Sequence, residues 1–165
     1  MPAVNPRPGT FVLEVAELGK DVLSTFTQFV LSRKVVDHRL ETLLANISIT
    51  TSLLVDLGST INKYQNEYHV KDEITRPTCQ TCKEDFEQLI AMSKVAKEKG
   101  GWITESAAGG QPIATEVDPF FVFNVTLGRG EKANQFWWRL NQTRQKLVAL
   151  NDTIKYKVFK ALNEQ

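Results

Sequence analysis

The stretch RLETLLANISITTSLLVDLGSTINKY, residues 39–64, carries apolar side chains at three- and four-residue steps. This spacing places them on one face of an α-helix, where they can pack against neighbouring helices. Three hydroxyl residues at 50–52 interrupt the stripe, but such side chains can bond to the preceding turn and remain helical. We predict one long helix over about 36–68, with the stripe Leu40, Leu43, Leu44, Ile47, Leu54, Leu57, Ile61, Tyr64 and Tyr68.

The same periodicity occurs in three further segments, which begin at about residues 10, 75 and 131. In the second of these, Pro77 suits the first turn of a helix, and the glycine pair at 100–101 is typical of a helix end. The last segment extends to about residue 162. Their predicted inner residues are Phe11, Val15, Leu18, Val22, Phe26, Phe29 and Val30, then Cys82, Phe86, Leu89, Ile90, Val95 and Ala96, then Trp137, Leu140, Leu147, Leu150, Ile154 and Val158.

Two parts of the chain lack this pattern. Residues 1–9 contain three prolines and predict a short extended arm. Residues 100–130 are rich in glycine and predict a flexible connection, within which FFVFNVTL, residues 120–127, alternates as an extended segment does. The expected fold class is therefore all-α: a bundle of about four long helices in one domain over 10–165, with the excursion 100–130 before the last helix.

The composition is that of one globular domain. Of 165 residues, 42% are apolar and 24% are charged, and the formal net charge of +1 gives no general attraction to nucleic acid. The amino-terminal sequence lacks the layout of a secretory signal. The sequence contains four glycosylation sequons, at Asn46, Asn124, Asn141 and Asn151. Without a secretory signal we expect these sites to stay unmodified. We expect an intracellular, cytoplasmic protein, with the nucleus as an alternative, that binds no nucleic acid.

The two cysteines of the chain, Cys79 and Cys82, have a C-x-x-C spacing. Structural zinc needs four ligands, and the two histidines, His38 and His69, lack a zinc-finger spacing. A thioredoxin-like dithiol needs a preceding strand, which the pattern does not predict. We expect the pair to serve in packing, with Cys82 in the core and Cys79 near the surface. A thiol or metal site at this pair stays open as an alternative.

No other catalytic signature is present in the sequence. It contains no G-x-S-x-G, no H-E-x-x-H and no phosphate-binding loop. Carboxylate pairs such as Glu84 and Asp85 fall on polar helix faces, which is typical of solvated charge. We therefore expect a protein that is not an enzyme and that has no cofactor or metal.

The last helix carries the first candidate binding feature, a cluster of positive charge. Residues 129–165 hold eight basic and three acidic side chains. Such a helix can lie on an anionic membrane surface, although a solvated face is the alternative. The candidate contacts to an anionic surface are Arg139, Lys146, Lys155 and Lys157.

The second candidate binding feature is aromatic. Trp137 and Trp138 are adjacent on a helix and point about 100° apart, so only one can lie at the centre of the core. Exposed aromatic side chains are common at protein interfaces. Trp138 together with Phe120, Phe121 and Phe123 is therefore a candidate partner-binding surface, with capping of the bundle as the alternative.

The order of these segments resembles a known family. The stretch at 39–64 is followed by CKEDFEQLIAMSKVAK, a glycine-rich gap, and WWRLNQTRQKLVALNDTIKYKVFKAL. This order is similar to the fungal N-terminal domain found ahead of STAND/NOD-like receptors, which is related to the HeLo-like group. The resemblance implies an all-α bundle that serves as an amino-terminal signalling or interaction module. HeLo-like members resemble membrane-permeabilising cell-death effectors with a very apolar first helix.

The first helix of this chain differs from that pattern in its charge. It contains Glu14, Glu17, Lys20 and Asp21, and each ionised residue at a bilayer centre costs about 2.5–3.5 kcal/mol. We therefore expect a protein-interaction or oligomerisation module of a larger fungal signalling or scaffold protein. Its expected partner is another protein or a second copy, with weak binding to a membrane surface. The alternative is a HeLo-like membrane-active effector domain.

Overall fold

The apolar stripes that the sequence predicts lie on four α-helices. The computed structural model describes residues 7–32, 38–98 and 130–164. It contains α1 (Pro8–Ser32), α2 (His38–Lys63), α3 (Asp72–Glu98) and α4 (Gly130–Asn163). These three ranges contain no strand, and the all-α prediction is confirmed. The predicted glycine-rich connection and the extended segment at 120–127 lie outside the described residues.

Three helix boundaries differ from the prediction, and two of them involve proline. The third is the end of α2, which lies at Lys63 and not at about residue 68. α1 begins at Pro8, inside the predicted arm, because the missing N–H of proline is harmless at the first helical position. α3 begins at Asp72, so Pro77 lies inside the helix and not in its first turn. The carboxylates of Asp72 and Glu73 suit the positive end of the helix dipole, and Arg76 Nε donates to Asp72 Oδ2 at 2.5 Å. These contacts offset the single backbone hydrogen bond that Pro77 removes.

Pairs of neighbouring residues give the directions of the first three helices. Leu13 of α1 lies against Gly58 of α2, and Gly19 lies against Thr51, so α1 and α2 are antiparallel. Arg76 of α3 stacks over the Phe11 ring at 4.2 Å, and Phe86 lies against Gly19, so α1 and α3 are parallel.

α4 completes the bundle by packing on α2 and α3. Asp56 of α2 accepts hydrogen bonds from Asn151 and Lys155 of α4. Seven residues further along each helix, Lys63 and Leu162 line the same groove. α2 and α4 are therefore parallel neighbours, and the helices follow one another around the bundle in the order α2, α1, α3, α4.

The core contains most of the predicted inner residues. Members of each predicted stripe are buried where the four helices face one another. Val12, Ala16, Cys79 and Met92 are buried as well, although the predicted stripes did not include them. Tyr64 and Tyr68, which follow the end of α2, are only partly buried against this cluster. The largest fully buried side chains are Phe26, Phe86, Leu43, Ile47, Leu54, Leu57, Leu89, Met92, Leu147 and Ile154.

Gly19 lies where α1 packs closely against both α2 and α3. A Cβ atom at this position would overlap Thr51 Oγ1 of α2 and would lie 2.9 Å from Cε2 of Phe86 in α3. Glycine costs a helix about 1 kcal/mol relative to alanine. The close packing around Gly19 offsets this cost and explains why the helix accepts it.

Candidate interaction surface on α4

The C-x-x-C pair lies in the core. Cys79 is 0% exposed and Cys82 is 2% exposed, and neither forms a disulfide. The expectation that Cys79 lies near the surface is wrong, because residues three apart on a helix lie on the same face, and that face of α3 points into the core. Burial raises the pKa of Cys79 to about 12 despite the nearby Arg76, and burial raises the pKa of Cys82 as well.

Thiolate is the nucleophilic and metal-binding form of cysteine, and burial makes it rare in these two side chains. Within the ranges 7–32, 38–98 and 130–164, no group of three or more His, Cys, Asp or Glu side chains is arranged to hold a metal ion. The arrangement at Cys79 and Cys82 is therefore suited to packing and not to thiol chemistry.

One carboxylate, that of Asp85, is buried between α3 and α4, so the expectation that it lies on a solvated polar face is wrong. The side chain of Asp85 is 1% exposed, and its Oδ1 accepts a hydrogen bond from Arg139 Nη2 at 2.5 Å. Arg139 also donates to Gln88 at 3.3 Å. Burial raises the pKa of Asp85, and the guanidinium of Arg139 opposes that increase. Because a buried charge without a partner is costly, this pair fixes how α4 sits on α3.

The large apolar side chains that remain exposed are concentrated on α4. Two of them, Trp138 and Phe159, are each 64% exposed, and Tyr156 is 65% exposed. Scattered single apolar residues are normal on a protein surface, but five on one helix form a potential contact face. Among the described residues the set is Trp138, Val148, Tyr156, Phe159 and Leu162 on α4, and Ile49 and Ile74 elsewhere.

A groove of about 460 Å³ separates the carboxyl-terminal halves of α2 and α4. Phe159 and Leu162 form its apolar side, together with the buried Val158. The remaining lining is polar and comes mainly from α2: Asp56, Ser59, Thr60, Lys63, Tyr64 and Lys155. The groove is open to solvent and combines an apolar wall with charged groups, as a macromolecular contact site does.

An ion pair spans the groove. Lys155 Nζ lies 2.5 Å from Asp56 Oδ2, and Asn151 Nδ2 donates to the same oxygen at 2.8 Å. The hydrogen bonds from Lys155 and Asn151 lower the pKa of Asp56. Seven residues earlier on each helix, which is about two turns, Ile49 and Val148 are both exposed. Exposed apolar side chains therefore lie before the ion pair along the two helices, at Ile49 and Val148, and after it, at Phe159 and Leu162.

Of the four predicted partner-binding residues, the structure describes Trp138. Phe120, Phe121 and Phe123 lie outside the described residues. Trp138 is exposed on α4, about six turns before Phe159, and it does not line the groove. The capping alternative names Trp138 together with these three phenylalanines, so it stays a prediction, although most of the Trp138 residue faces solvent.

The four candidate anionic contacts do not form one patch. Arg139, Lys146 and Lys157 are spaced by seven and eleven residues, so they share one side of α4. Lys155 lies on the opposite side, against α2. Arg139 and Lys155 are engaged by Asp85 and Asp56, whereas Lys146 and Lys157 are exposed. The basic side chains of α4 therefore divide between pairing within the chain and facing solvent.

Phe159 and Leu162 were missed as candidate surface residues by sequence reasoning. A signal for them was present: the inner stripe passes through Leu147, Ile154 and Val158, and a phenylalanine directly after Val158 falls about 100° away from it. No sequence pattern, however, indicates that α2 lies beside this flank of α4 and leaves a groove there.

One helix has the length and apolar character of a membrane span. Within Glu41–Lys63 of α2, a stretch of 18 residues has a mean hydropathy of 1.3, and 44% of that stretch is buried inside the bundle. Its buried residues include Leu54 and Leu57 in the core. A core helix meets the same criteria, so this segment is weak evidence for a span.

Comparison of the chain with protein-family models, with curated proteins and with solved structures finds no match.

Proposed function

We propose that this chain is a non-catalytic helical module that binds protein through the exposed apolar face of α4. The face consists of Val148, Tyr156, Phe159 and Leu162, with Trp138 further along the helix. In line with the resemblance to fungal N-terminal domains, we propose that it serves in the cytoplasm as an interaction module of a signalling or scaffold protein.

The observation that carries this proposal is the exposure of Phe159 beside an open groove. Its side chain is 64% exposed, although Val158 and Leu162 lie close enough to line the same groove. Full burial of a phenylalanine side chain is worth about 1.5–3 kcal/mol, so covering the exposed part of Phe159 would favour a complex. Aromatic side chains in partly enclosed positions are frequent energetic centres of protein interfaces.

The buried polar groups of the bundle support a structural role. Asp85 is paired with Arg139, and the thiols of Cys79 and Cys82 are in the core. The groove near Phe159 contains no histidine or cysteine.

A photoreactive benzoylphenylalanine at position 159 tests the proposal. In a lysate of the source organism, ultraviolet light should join this variant covalently to protein, identified by mass spectrometry. The matched control carries the same group at Ser24, which is exposed on α1, and should give no such adduct. Absence of any protein adduct specific to position 159 would refute the proposed function.

A second candidate function is binding to an anionic membrane surface. Tyr156, Lys157, Phe159 and Lys160 alternate aromatic and basic side chains at the exposed end of α4. Aromatic rings and lysines together are typical of helices that lie in a lipid headgroup layer. Sedimentation with phosphatidylserine vesicles tests this candidate, and a Lys157→Glu, Lys160→Glu variant should lose the binding. Dye release from neutral vesicles would instead favour the membrane-active alternative.

A further inference from the structure

The exposed flank of α4 beside α2 has a repeat of its own. The spacing along it alternates between three and four residues, which is the spacing of a helix–helix contact seam. Its members lie on the side of α4 that carries Lys155 and Phe159, away from the buried Leu147 and Ile154. This outer stripe consists of Gln145, Val148, Asp152, Lys155, Phe159 and Leu162.

The outer stripe is complementary to itself when it is reversed. About a midpoint between residues 153 and 154, Val148 exchanges places with Phe159, and Asp152 exchanges places with Lys155. Gln145 exchanges places with Leu162 in the same way. A two-fold axis at this midpoint would therefore pair the apolar Val148 with the apolar Phe159 and the acidic Asp152 with the basic Lys155, while the outermost pair, Gln145 and Leu162, is polar with apolar.

We propose that the partner of this surface is a second copy of the chain, with the two α4 helices antiparallel across a two-fold axis near residue 153. This proposal rests on the proposed function and names its partner. Two Val148–Phe159 contacts and two Asp152–Lys155 ion pairs would form at once. Ile49 of α2 is exposed seven residues before Asp56, as Val148 is exposed seven residues before Lys155, and it would extend the apolar part of the contact.

Charge favours the antiparallel arrangement over the parallel one. In a parallel, in-register pair, Asp152 would face Asp152 and Lys155 would face Lys155, which is unfavourable. In the antiparallel pair each charge meets its opposite. Asp152 has no salt bridge within the described part of the chain, so it is free to accept one from a partner. The ammonium of Lys155 has three donors and can contact Asp56 and a second carboxylate together.

A charge-exchange experiment tests this arrangement by sedimentation equilibrium. The wild-type protein should reach the mass of two 18.6 kDa chains at high concentration. Asp152→Lys alone places four lysines at the axis, and Lys155→Asp alone places four aspartates there, so each variant should sediment at half the dimer mass. An equimolar mixture of the two variants should recover the dimer mass, because both cross-pairs are again of opposite charge.

Lys157→Asp is the matched control. Lys157 is exposed on the side of α4 away from the outer stripe, so this variant makes the same charge change as Lys155→Asp but should keep the dimer mass. Circular dichroism should show that all variants remain helical. A wild-type protein that stays monomeric at its highest soluble concentration, or single variants that still form dimers, would overturn the proposal.

Cysteine cross-linking tests the orientation of the helices. A mixture of Val148→Cys and Phe159→Cys chains should form the mixed disulfide under mild oxidation, and neither chain should form it alone. Disulfides between two 148 positions would indicate a parallel pair and overturn the proposal. If position 159 captures only other proteins in the photochemical experiment, the second-copy proposal fails while the proposed function stands. If it captures no protein, both fail.

Discussion

Asp85 of α3 and Arg139 of α4 form an ion pair whose two ends have very different surroundings. The carboxylate side chain is 1% exposed, whereas the guanidinium side chain is 49% exposed. The second carboxylate oxygen, Oδ2, has no hydrogen-bond partner. The aspartate therefore bears a desolvation cost that Arg139 only partly offsets, and its contribution to stability should depend on pH.

Asp85→Asn should report that dependence. Burial raises the folded-state pKa of Asp85 above its ordinary value of 3.8, so between these two pKa values the folded protein binds more protons than the unfolded chain. The contribution of Asp85 therefore weakens as pH rises through this window. The free energy of unfolding of the wild type, relative to Asp85→Asn, should fall from pH 4 upward when both are measured in urea. A free-energy difference that rises with pH would contradict a raised pKa for Asp85.

Arg139→Ala should be destabilising at neutral pH, because it leaves the buried carboxylate of Asp85 without its cation. The cost should lie between the roughly 1 kcal/mol of an exposed pair and the 3–5 kcal/mol of a fully buried pair. Adding Asp85→Asn should recover part of the loss. Chemical denaturation of the two single variants and the double variant measures this coupling, and additive losses would show that the two side chains act independently.

Asp56 should show the opposite pH dependence. Hydrogen bonds from Lys155 and Asn151 lower its folded-state pKa below 3.8, so it contributes stability above pH 3.8 that is lost as pH falls through the lowered pKa. Asp56 is largely exposed, and we expect an effect below about 1 kcal/mol that shrinks with added salt. Asp56→Asn should remove the dependence. Equal acid sensitivity of the variant and the wild type would refute the prediction.

Gly19→Ala should destabilise the bundle although alanine favours helices. Its Cβ would overlap Thr51 and press on Phe86, and overpacking of this kind typically costs 1–3 kcal/mol. The exposed Ser24→Ala on the same helix is the control and should change stability by less than about 0.5 kcal/mol. Thr51→Ala should rescue Gly19→Ala in part. A gain in melting temperature for Gly19→Ala would mean that α1 and α2 are further apart than the structure has them.

The thiols of Cys79 and Cys82 should be unreactive in the folded protein. Both are buried, and the pKa of Cys79 is raised to about 12, so thiolate is scarce at pH 8. Labelling by a thiol reagent should be slow in buffer and should accelerate in denaturant together with the loss of helix. Rapid labelling at pH 8 without denaturant would restore the thiol-site alternative for this pair.

The sequence alone predicts the number and type of the elements because helical periodicity is a local property. The stripe Leu43, Ile47, Leu54 is set by residue spacing, and it lies in the core. Boundaries are predicted less well. Pro77 suggests a helix start, but the acidic residues five and four positions earlier support a longer helix.

The sequence also determines which side chains can bury themselves on each helix, through the angle between them along the chain. Only the tertiary structure decides which helices become neighbours, because that depends on contacts between residues far apart in sequence. The proximity of Asp56 to Lys155, 99 residues later, and the open groove beside Phe159 follow from the packing of α4 on α2. Neither could be predicted from periodicity, since every helix has a polar face and packing alone determines how much of it stays exposed.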